Sequence, residues 1–194
     1  MTMQTEKPPK RPLLTARQVG MVAAFGGMGF AWRALGLVIP LTPPFVLDIR
    51  ETVCVLAAFA GGPYVGIASG FLMGLPSAIP VMDTWYYPGI ALLVCTVTKP
   101  AWKLIKEGKA ALGYGLLIVM ILIAEAIFSI LANLLISEYG LGLVAFWPET
   151  VAYFMAGTYE VYVLQEIIPL ILCIRLFPAF MEPKWLWSGG EAVE

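Results

Sequence analysis

The chain has 194 residues, of which 60% are hydrophobic and 13% are charged, whereas an ordinary soluble domain has roughly 25% charged residues. Its mean hydropathy is +0.84. The 12 Lys or Arg and 13 Asp or Glu residues are too few to give a soluble globule of this size a polar shell. This composition excludes a cytosolic enzyme and a disordered chain, and the net charge of −1 without a basic stripe excludes a nucleic-acid binder. We therefore expect an integral membrane protein.

The absence of histidine narrows the possible chemistry further. It excludes a His-based catalytic triad, an HExxH zinc site and imidazole metal ligation. The three cysteines, Cys54, Cys95 and Cys173, lie far apart in apolar runs, which suits neither a disulfide framework nor a zinc site. We expect no catalytic residue, no metal and no cofactor. An intramembrane enzyme is the least favoured alternative, because Gly-x-Ser-x-Gly and Gly-x-Gly-Asp are also missing.

The first part of the chain predicts a tail, a membrane span and a loop. Residues 1–17 are polar and basic and predict a cytoplasmic tail. The apolar run over residues 19–39 is close to the roughly 20 residues that a helix needs to cross a bilayer. A signal peptide is disfavoured, because no small-x-small cleavage site precedes a polar mature domain. Residues 42–51 predict a loop, since two prolines stop a helix and three charges lie together.

The remaining apolar segments predict five further helices. Residues 52–75 are apolar but are broken by a Gly61-Gly62-Pro63 turn, which favours two short helices meeting there. One long kinked helix is the alternative interpretation. Residues 76–88 predict an interfacial loop, and the mixed aromatic residues 138–158 are compatible with a surface helix. The last three spans are predicted over residues 89–102, 111–136 and 161–180.

Six spans place both termini on the same side of the membrane. The positive-inside rule makes this side cytoplasmic, because it carries the basic tail and the lysine-rich loop at residues 99–109, whereas the opposite loops are acidic on balance. The expected fold class is an all-α integral membrane protein of the cell membrane, a compact bundle of six transmembrane helices. Residues 18–181 would form this domain, and residues 182–194 a cytoplasmic C-terminal tail. No internal repeat supports an inverted-repeat transporter.

Two rows of small residues predict close helix packing, because in lipid the near approach of backbones is a main source of helix association. The row expected to pack inside the protein consists of Gly62, Gly66, Gly70 and Gly74. A second row, on the first helix, consists of Ala23, Gly27 and Ala31. This second row either packs internally or docks onto another membrane subunit, and composition alone leaves both possibilities open.

Polar side chains inside the spans mark a candidate ligand pocket, because ionisable groups at membrane depth are costly and usually face a cavity or a partner. The candidates on helices are Glu125, Ser129 and Asn133 on one face, Tyr159, Tyr162 and Glu166 on another, and Arg33 in the first helix. Asp48, Trp85 and Tyr86 lie in the loops that would cover the pocket. Carboxylates beside aromatic faces suit a cationic or ring-shaped ligand. The alternative is an ion pair between Arg33 and a glutamate, together with an interfacial aromatic belt.

Two segments of the chain resemble a known family. They are PLTPPFVLDIRE at residues 40–51 and LAAFAGGPYVGIASG at residues 56–70. They resemble the substrate-binding (S) components of energy-coupling factor transporters, the vitamin-uptake branch of ABC importers. Members of that family commonly have a proline-containing first loop, an acidic residue opening the second helix and a Gly-Pro-x-x-Gly-x-x-x-Gly start to the third. The clear match covers residues 36–75, and the rest agrees in hydropathy and topology.

The resemblance implies a subunit that captures a micronutrient from outside with high affinity. It would dock through small residues of its first helix onto a transmembrane coupling subunit that two cytoplasmic ATPase subunits drive. Ala23, Gly27 and Ala31 stand where the family has its Ala-x-x-x-Ala docking face. The nickel and cobalt branch needs an N-terminal histidine that is missing here, and acidic and aromatic candidates favour thiamine or its pyrimidine precursor. Riboflavin and a queuosine precursor remain open, and the alternative function is a non-catalytic scaffold of the cell-shape machinery.

Overall fold

The computed structural model describes residues 14–37, 39–42, 45–77, 80–136 and 159–182. Its helices are α1 (Ala16–Ala34), α2 (Arg50–Gly74), α3 (Pro80–Lys106), α4 (Ala110–Ile136) and α5 (Tyr159–Met181). Between α1 and α2, strands β1 (Ile39–Thr42) and β2 (Phe45–Leu47) pair antiparallel. The expected helical class is therefore confirmed for the described part of the chain.

Helix α1 is shorter than the predicted first span. It begins at Ala16, where the Thr15 side chain accepts a hydrogen bond from the Gln18 backbone N–H and the Gln18 side chain bonds back to Thr15. It ends at Ala34, and Gly36 then takes a left-handed φ of +65°. The predictions of a span reaching residue 39 and of a loop over 42–51 were therefore wrong in part, because a β-hairpin and the start of α2 occupy these positions.

Helix α2 folds back on itself at the glycine pair. Gly62 has φ +75° and ψ −167°, a conformation that breaks the helix just before Pro63. Arg50 Nη1 lies 3.0 Å from the carbonyl oxygen of Met73, whereas the ends of a straight helix over that separation would lie roughly 35 Å apart. Residues 50–61 and 63–74 therefore run antiparallel as two arms. The prediction of two short helices meeting at this turn is confirmed.

The fold of α2 decides which of the apolar helices are long enough to cross a membrane. Two helical segments, Arg50–Gly74 and Ala110–Phe128, are long and apolar enough to cross a bilayer, which gives weak support for a membrane protein. Because α2 is folded, each of its arms extends only about 18 Å, against roughly 30 Å of hydrocarbon. The arms cannot each cross a full-thickness bilayer, so the prediction of six transmembrane helices, which counted both arms, is not confirmed.

The glycine row on the second arm packs against α3. A Cβ added to Gly70 would lie 2.8 Å from the backbone nitrogen of Pro88, and one added to Gly74 would lie 2.5 Å from the backbone of Asp83. Both distances are too short for an ordinary Cβ contact, so these glycines permit direct contact between the backbones of the two helices. The prediction that this row packs internally is confirmed.

The small residues of α1 divide between two faces. Gly26 and Gly29 are buried against the second hairpin arm, where added Cβ atoms would overlap Leu72 and Met73. The other face, which carries Ala23, Gly27 and Ala31, is exposed, and nothing lies within 4 Å of a Cβ placed on Gly27. Internal packing of this second face is therefore excluded within the part of the chain that the structure describes.

The main hydrophobic core lies where the first hairpin arm meets α3, α4 and α5. The rings of Phe59 and Phe177 meet edge to face with centroids 4.7 Å apart, and Trp102 packs on the same Phe177 ring at 5.8 Å. Leu117 and Ile121 of α4 complete this cluster and are fully buried. The core thus joins the three long helices to the hairpin, below the polar residues at its open end.

Helix α3 begins earlier than the sequence pattern indicates. The predicted interfacial loop at residues 76–88 is wrong from Pro80 onward, because Pro80 suits a first helical turn and Asp83 favours a helix N-terminus. Trp85 and Tyr86 therefore belong to a helix and not to a loop. The bounds predicted for α4 and α5 agree with the structure to within two residues. The predicted surface segment 138–158 lies outside the described residues.

Candidate functional site

A buried arginine ties together three helix ends at the open end of the hairpin. Arg50, the first residue of α2, is 4% exposed. Its Nη2 lies 2.7 Å from Asp48 Oδ2, and its Nη1 lies 3.1 Å from Asp83 Oδ2. The same Nη1 donates to the Met73 carbonyl at the end of the second arm. The guanidinium also lies over the Tyr87 ring, 4.9 Å from the centroid.

Local backbone geometry explains why Asp48 and Arg50 pair. The Asp48 side chain accepts a hydrogen bond from the Arg50 backbone N–H at 3.0 Å, as Asx residues do just before a helix. Its second carboxylate oxygen accepts from Arg50 Nε at 2.7 Å. Both carboxylate oxygens of Asp48 are therefore engaged by Arg50. This geometry gives Asp48 a structural role at the start of α2.

The next residue along α2 makes a second connection to α3. The Tyr86 hydroxyl donates to Glu51 Oε1 at 2.7 Å, and Glu51 is 9% exposed. Two successive pairs, Arg50 with Tyr87 and Glu51 with Tyr86, therefore join the first hairpin arm to α3. They differ chemically, because Arg50 is neutralised by two acids whereas Tyr86 contributes an uncharged hydroxyl to Glu51.

Helix α4 carries another buried carboxylate. Glu125 is 4% exposed. The Cys173 thiol of α5 lies 4.0 Å from the carbonyl oxygen of Thr52 on α2. The start of α2, which carries Glu51, therefore packs against α5, and α4 carries the buried Glu125. A carboxylate buried at this depth requires a hydrogen-bond donor or a cation beside it.

The structure brings two of the predicted site residues, Asp48 and Tyr86, into the polar cluster at the start of α2, and it buries a third, Glu125, on α4. Trp85 lies on the neighbouring position of α3 but is 39% exposed. Arg33 is partly buried, and none of the ion pairs among the described residues includes it.

The other predicted residues lie on helices whose side chains are outside the description at those positions. They are Ser129 and Asn133 on α4, and Tyr159, Tyr162 and Glu166 on α5. Backbone position alone places Ser129 one turn beyond Glu125, and Glu166 two turns before Cys173. Their participation in a pocket stays a prediction.

Sequence analysis missed the central member of the polar cluster. Arg50, Glu51 and Asp83 were not among the predicted site residues, because charged residues beside prolines at 42–51 and 76–88 resemble exposed loops. A signal was present in the alternation of acid and base at Asp48, Arg50 and Glu51, directly before a long apolar run. Such a group becomes buried once the following helix turns back and places its far end beside its start.

Comparison of the chain with family models, with curated proteins and with solved structures finds no match in any of the three. The distinctive features of the site are the buried Glu51, which Tyr86 bonds beside the Arg50 cluster, and the buried Glu125 on α4.

Proposed function

We propose that this chain is a membrane-embedded substrate-binding subunit for a small water-soluble micronutrient, working with an ATP-driven coupling module as S components do. The observation that carries the proposal is the burial of two carboxylates, Glu51 at the start of α2 and Glu125 on α4. Carboxylates in an apolar environment attract a cationic group more strongly than they would in water.

The division of roles within the polar cluster supports this proposal. Arg50 is satisfied by Asp48, Asp83 and the Met73 carbonyl, so it holds the helix ends together. Glu51 accepts a hydrogen bond from the Tyr86 hydroxyl, and Glu125 is buried on α4. We infer that Arg50 forms the framework, and that Glu51, Tyr86 and Glu125 form the base of the ligand site.

The remaining walls would come from the outer halves of α4 and α5. Ser129 and Asn133 follow Glu125 at intervals of four residues, and Tyr159, Tyr162 and Glu166 precede the buried Pro169 on α5. Carboxylates, amides and aromatic rings bind a cationic heteroaromatic ring through ion pairing, hydrogen bonds and stacking. Thiamine or its pyrimidine precursor has this chemistry and is the ligand class that we propose.

The exposed small face of α1 supports the proposed partnership. Ala23, Gly27 and Ala31 face away from the described part of the protein, and the neighbouring Gly20 also has nothing within 4 Å of a Cβ. A helix face without bulky side chains permits close approach of another transmembrane helix. We propose that this face docks onto the coupling subunit in the cell membrane, with both termini cytoplasmic.

The ligand proposal is tested on full-length protein purified in a mild detergent. Tryptophan fluorescence is titrated with thiamine, its pyrimidine precursor, riboflavin and biotin, and bound small molecules are identified by mass spectrometry of the purified protein. We expect saturable binding of a cationic ring compound that Glu125→Gln weakens at least tenfold. Lys103→Gln, an exposed substitution far from the site, is the matched control.

The docking proposal needs a separate measurement. Co-purification from membranes should recover ATPase subunits with the wild type, and Gly27→Leu should abolish recovery while leaving ligand binding intact. Recovery of cell-wall synthesis proteins in place of ATPases, without any small-molecule binding, would support the scaffold alternative. One observation favours the scaffold alternative. Arg50 is paired with Asp48 and Asp83 inside the protein, so these buried charges stabilise the fold and do not bind a ligand.

A further inference from the structure

Four exposed lysines form a basic patch at the opposite end of α3 from the Arg50 cluster. The lysine patch consists of Lys99, Lys103, Lys106 and Lys109. The first three are spaced by four and three residues, so they lie along one side of the helix. Glu107 is the only acid within this stretch, and it pairs with Lys103 at 3.9 Å and with Lys109 at 3.3 Å. Residues 99–109 therefore contain four lysines and one glutamate, so this stretch is basic by its formal charge.

A tight turn at the end of α3 concentrates this charge. Gly108 has φ +81°, its N–H donates to the Ile105 carbonyl, and the Lys109 N–H donates to the Leu104 carbonyl. This is the hydrogen-bond pattern of a Schellman turn. The turn starts α4 at Ala110, so the lysines beside it are held at one corner of the protein and do not spread along a flexible loop.

Apolar surface adjoins the lysine patch on both helices. The Lys106 ammonium lies 4.5 Å from the centroid of the Trp102 ring, and that ring packs on Phe177 of the core. On α4, Leu112 is 64% exposed, and Gly113 contacts Ala101 and Ile105 of α3. Indole and leucine next to lysine ammonium groups are characteristic of the boundary between acyl chains and headgroups.

We propose that the lysine patch binds the headgroups of anionic phospholipids at the cytoplasmic surface. This inference rests on the membrane location within the proposed function, but it needs neither the ligand nor the coupling module. Basic clusters directly beside a membrane helix attract acidic headgroups, and each lysine near the surface strengthens the attraction roughly fivefold. Leu112 and Trp102 would contact the upper part of the acyl chains of the same lipid.

The simpler alternative is that the lysines only stabilise the C-terminus of α3 through its helix dipole. The two explanations differ in one observable property. Dipole stabilisation changes the thermal stability of the protein and is indifferent to lipid charge. Headgroup binding discriminates phosphatidylglycerol from phosphatidylcholine and leaves the helix itself largely unaffected.

The test is native mass spectrometry of the full-length protein in detergent, titrated with equimolar phosphatidylglycerol and phosphatidylcholine. We expect selective retention of phosphatidylglycerol. In Lys103→Gln/Lys106→Gln this preference should fall at least tenfold, whereas Lys103→Arg/Lys106→Arg, which keeps both charges, should retain it. Glu107→Gln removes the acid beside the lysines and should strengthen the preference for phosphatidylglycerol.

Three results would overturn the proposal. The first is equal retention of the two lipids by the wild type. The second is an unchanged preference in the glutamine variant, provided that its circular dichroism matches the wild type. The third is displacement of the lipid by inorganic phosphate, which would indicate a site for a free anion. Vitamin titration of the same preparations tests the proposed function separately, so failure of one proposal does not imply failure of the other.

Discussion

Arg50 Nη1 lies 3.1 Å from Asp83 Oδ2, and this contact joins the start of α2 to the start of α3. Both side chains are almost completely buried, at 5% and 6% exposure. The same nitrogen donates to the Met73 carbonyl, so one side chain fixes the open end of the hairpin to its neighbour. The position of Glu51, the next residue, depends on this arrangement.

Removal of the arginine charge should destabilise the protein strongly. Arg50→Met would leave Asp48 and Asp83 buried without a cation, and breaking one partner of a buried ion pair costs about 3–5 kcal/mol. The measurement is thermal unfolding in detergent followed by circular dichroism. Lys103→Met, which removes an 80% exposed charge, should change the melting temperature little. Equal melting temperatures for both variants would show that Arg50 does not hold the helix ends together.

The Glu51–Tyr86 hydrogen bond should be measurable by a double-mutant cycle. Glu51→Met removes the acceptor and Tyr86→Phe the donor of a 2.7 Å bond, and a hydrogen bond to a charged group contributes about 1.5–3 kcal/mol. We expect the double variant to be destabilised by clearly less than the sum of the single variants. Strict additivity of the three unfolding free energies would show that the two side chains do not interact.

Two glycine substitutions should separate the packed face from the exposed one. Gly74→Ala places a Cβ 2.5 Å from the backbone of Asp83, and such overpacking costs about 1–3 kcal/mol. Gly27→Ala meets nothing within 4 Å, and because alanine favours a helix it should leave stability unchanged or raise it by about 0.5–1 kcal/mol. Comparison of the two melting temperatures checks this. The reverse order would contradict the orientation of α1.

The sequence pattern predicted those features that depend on local chemistry. The Gly61-Gly62-Pro63 turn, the internal glycine row and the bounds of α4 could be recognised because each follows from backbone conformation or from hydrophobic length. Glu125 could be recognised because a carboxylate within a long apolar helix requires a partner. None of these predictions requires knowing which helices pack against each other.

The features that were missed depend on tertiary contacts. The Arg50 cluster forms only because the hairpin returns Met73 to the start of α2 and α3 then presents Asp83 beside it. The helical state of residues 80–88 was missed for a related reason. Pro88 ends the predicted loop at residues 76–88, but it lies inside α3, where Gly70 allows its ring to pack directly against the second arm. The alternation of acid and base at residues 48–51 indicates a polar group, but it does not indicate which helices pack against that group.

The central claim is that the buried glutamates hold a cationic ligand, and the most direct measurement is ligand titration of paired preparations of wild type and Glu125→Gln. We predict saturable binding of thiamine or its pyrimidine precursor to the wild type. Loss of one charge-assisted contact should weaken it ten- to a hundredfold in the variant. Wild-type protein that binds no cationic ring compound, or a Glu125→Gln variant that binds it equally well, would contradict the account.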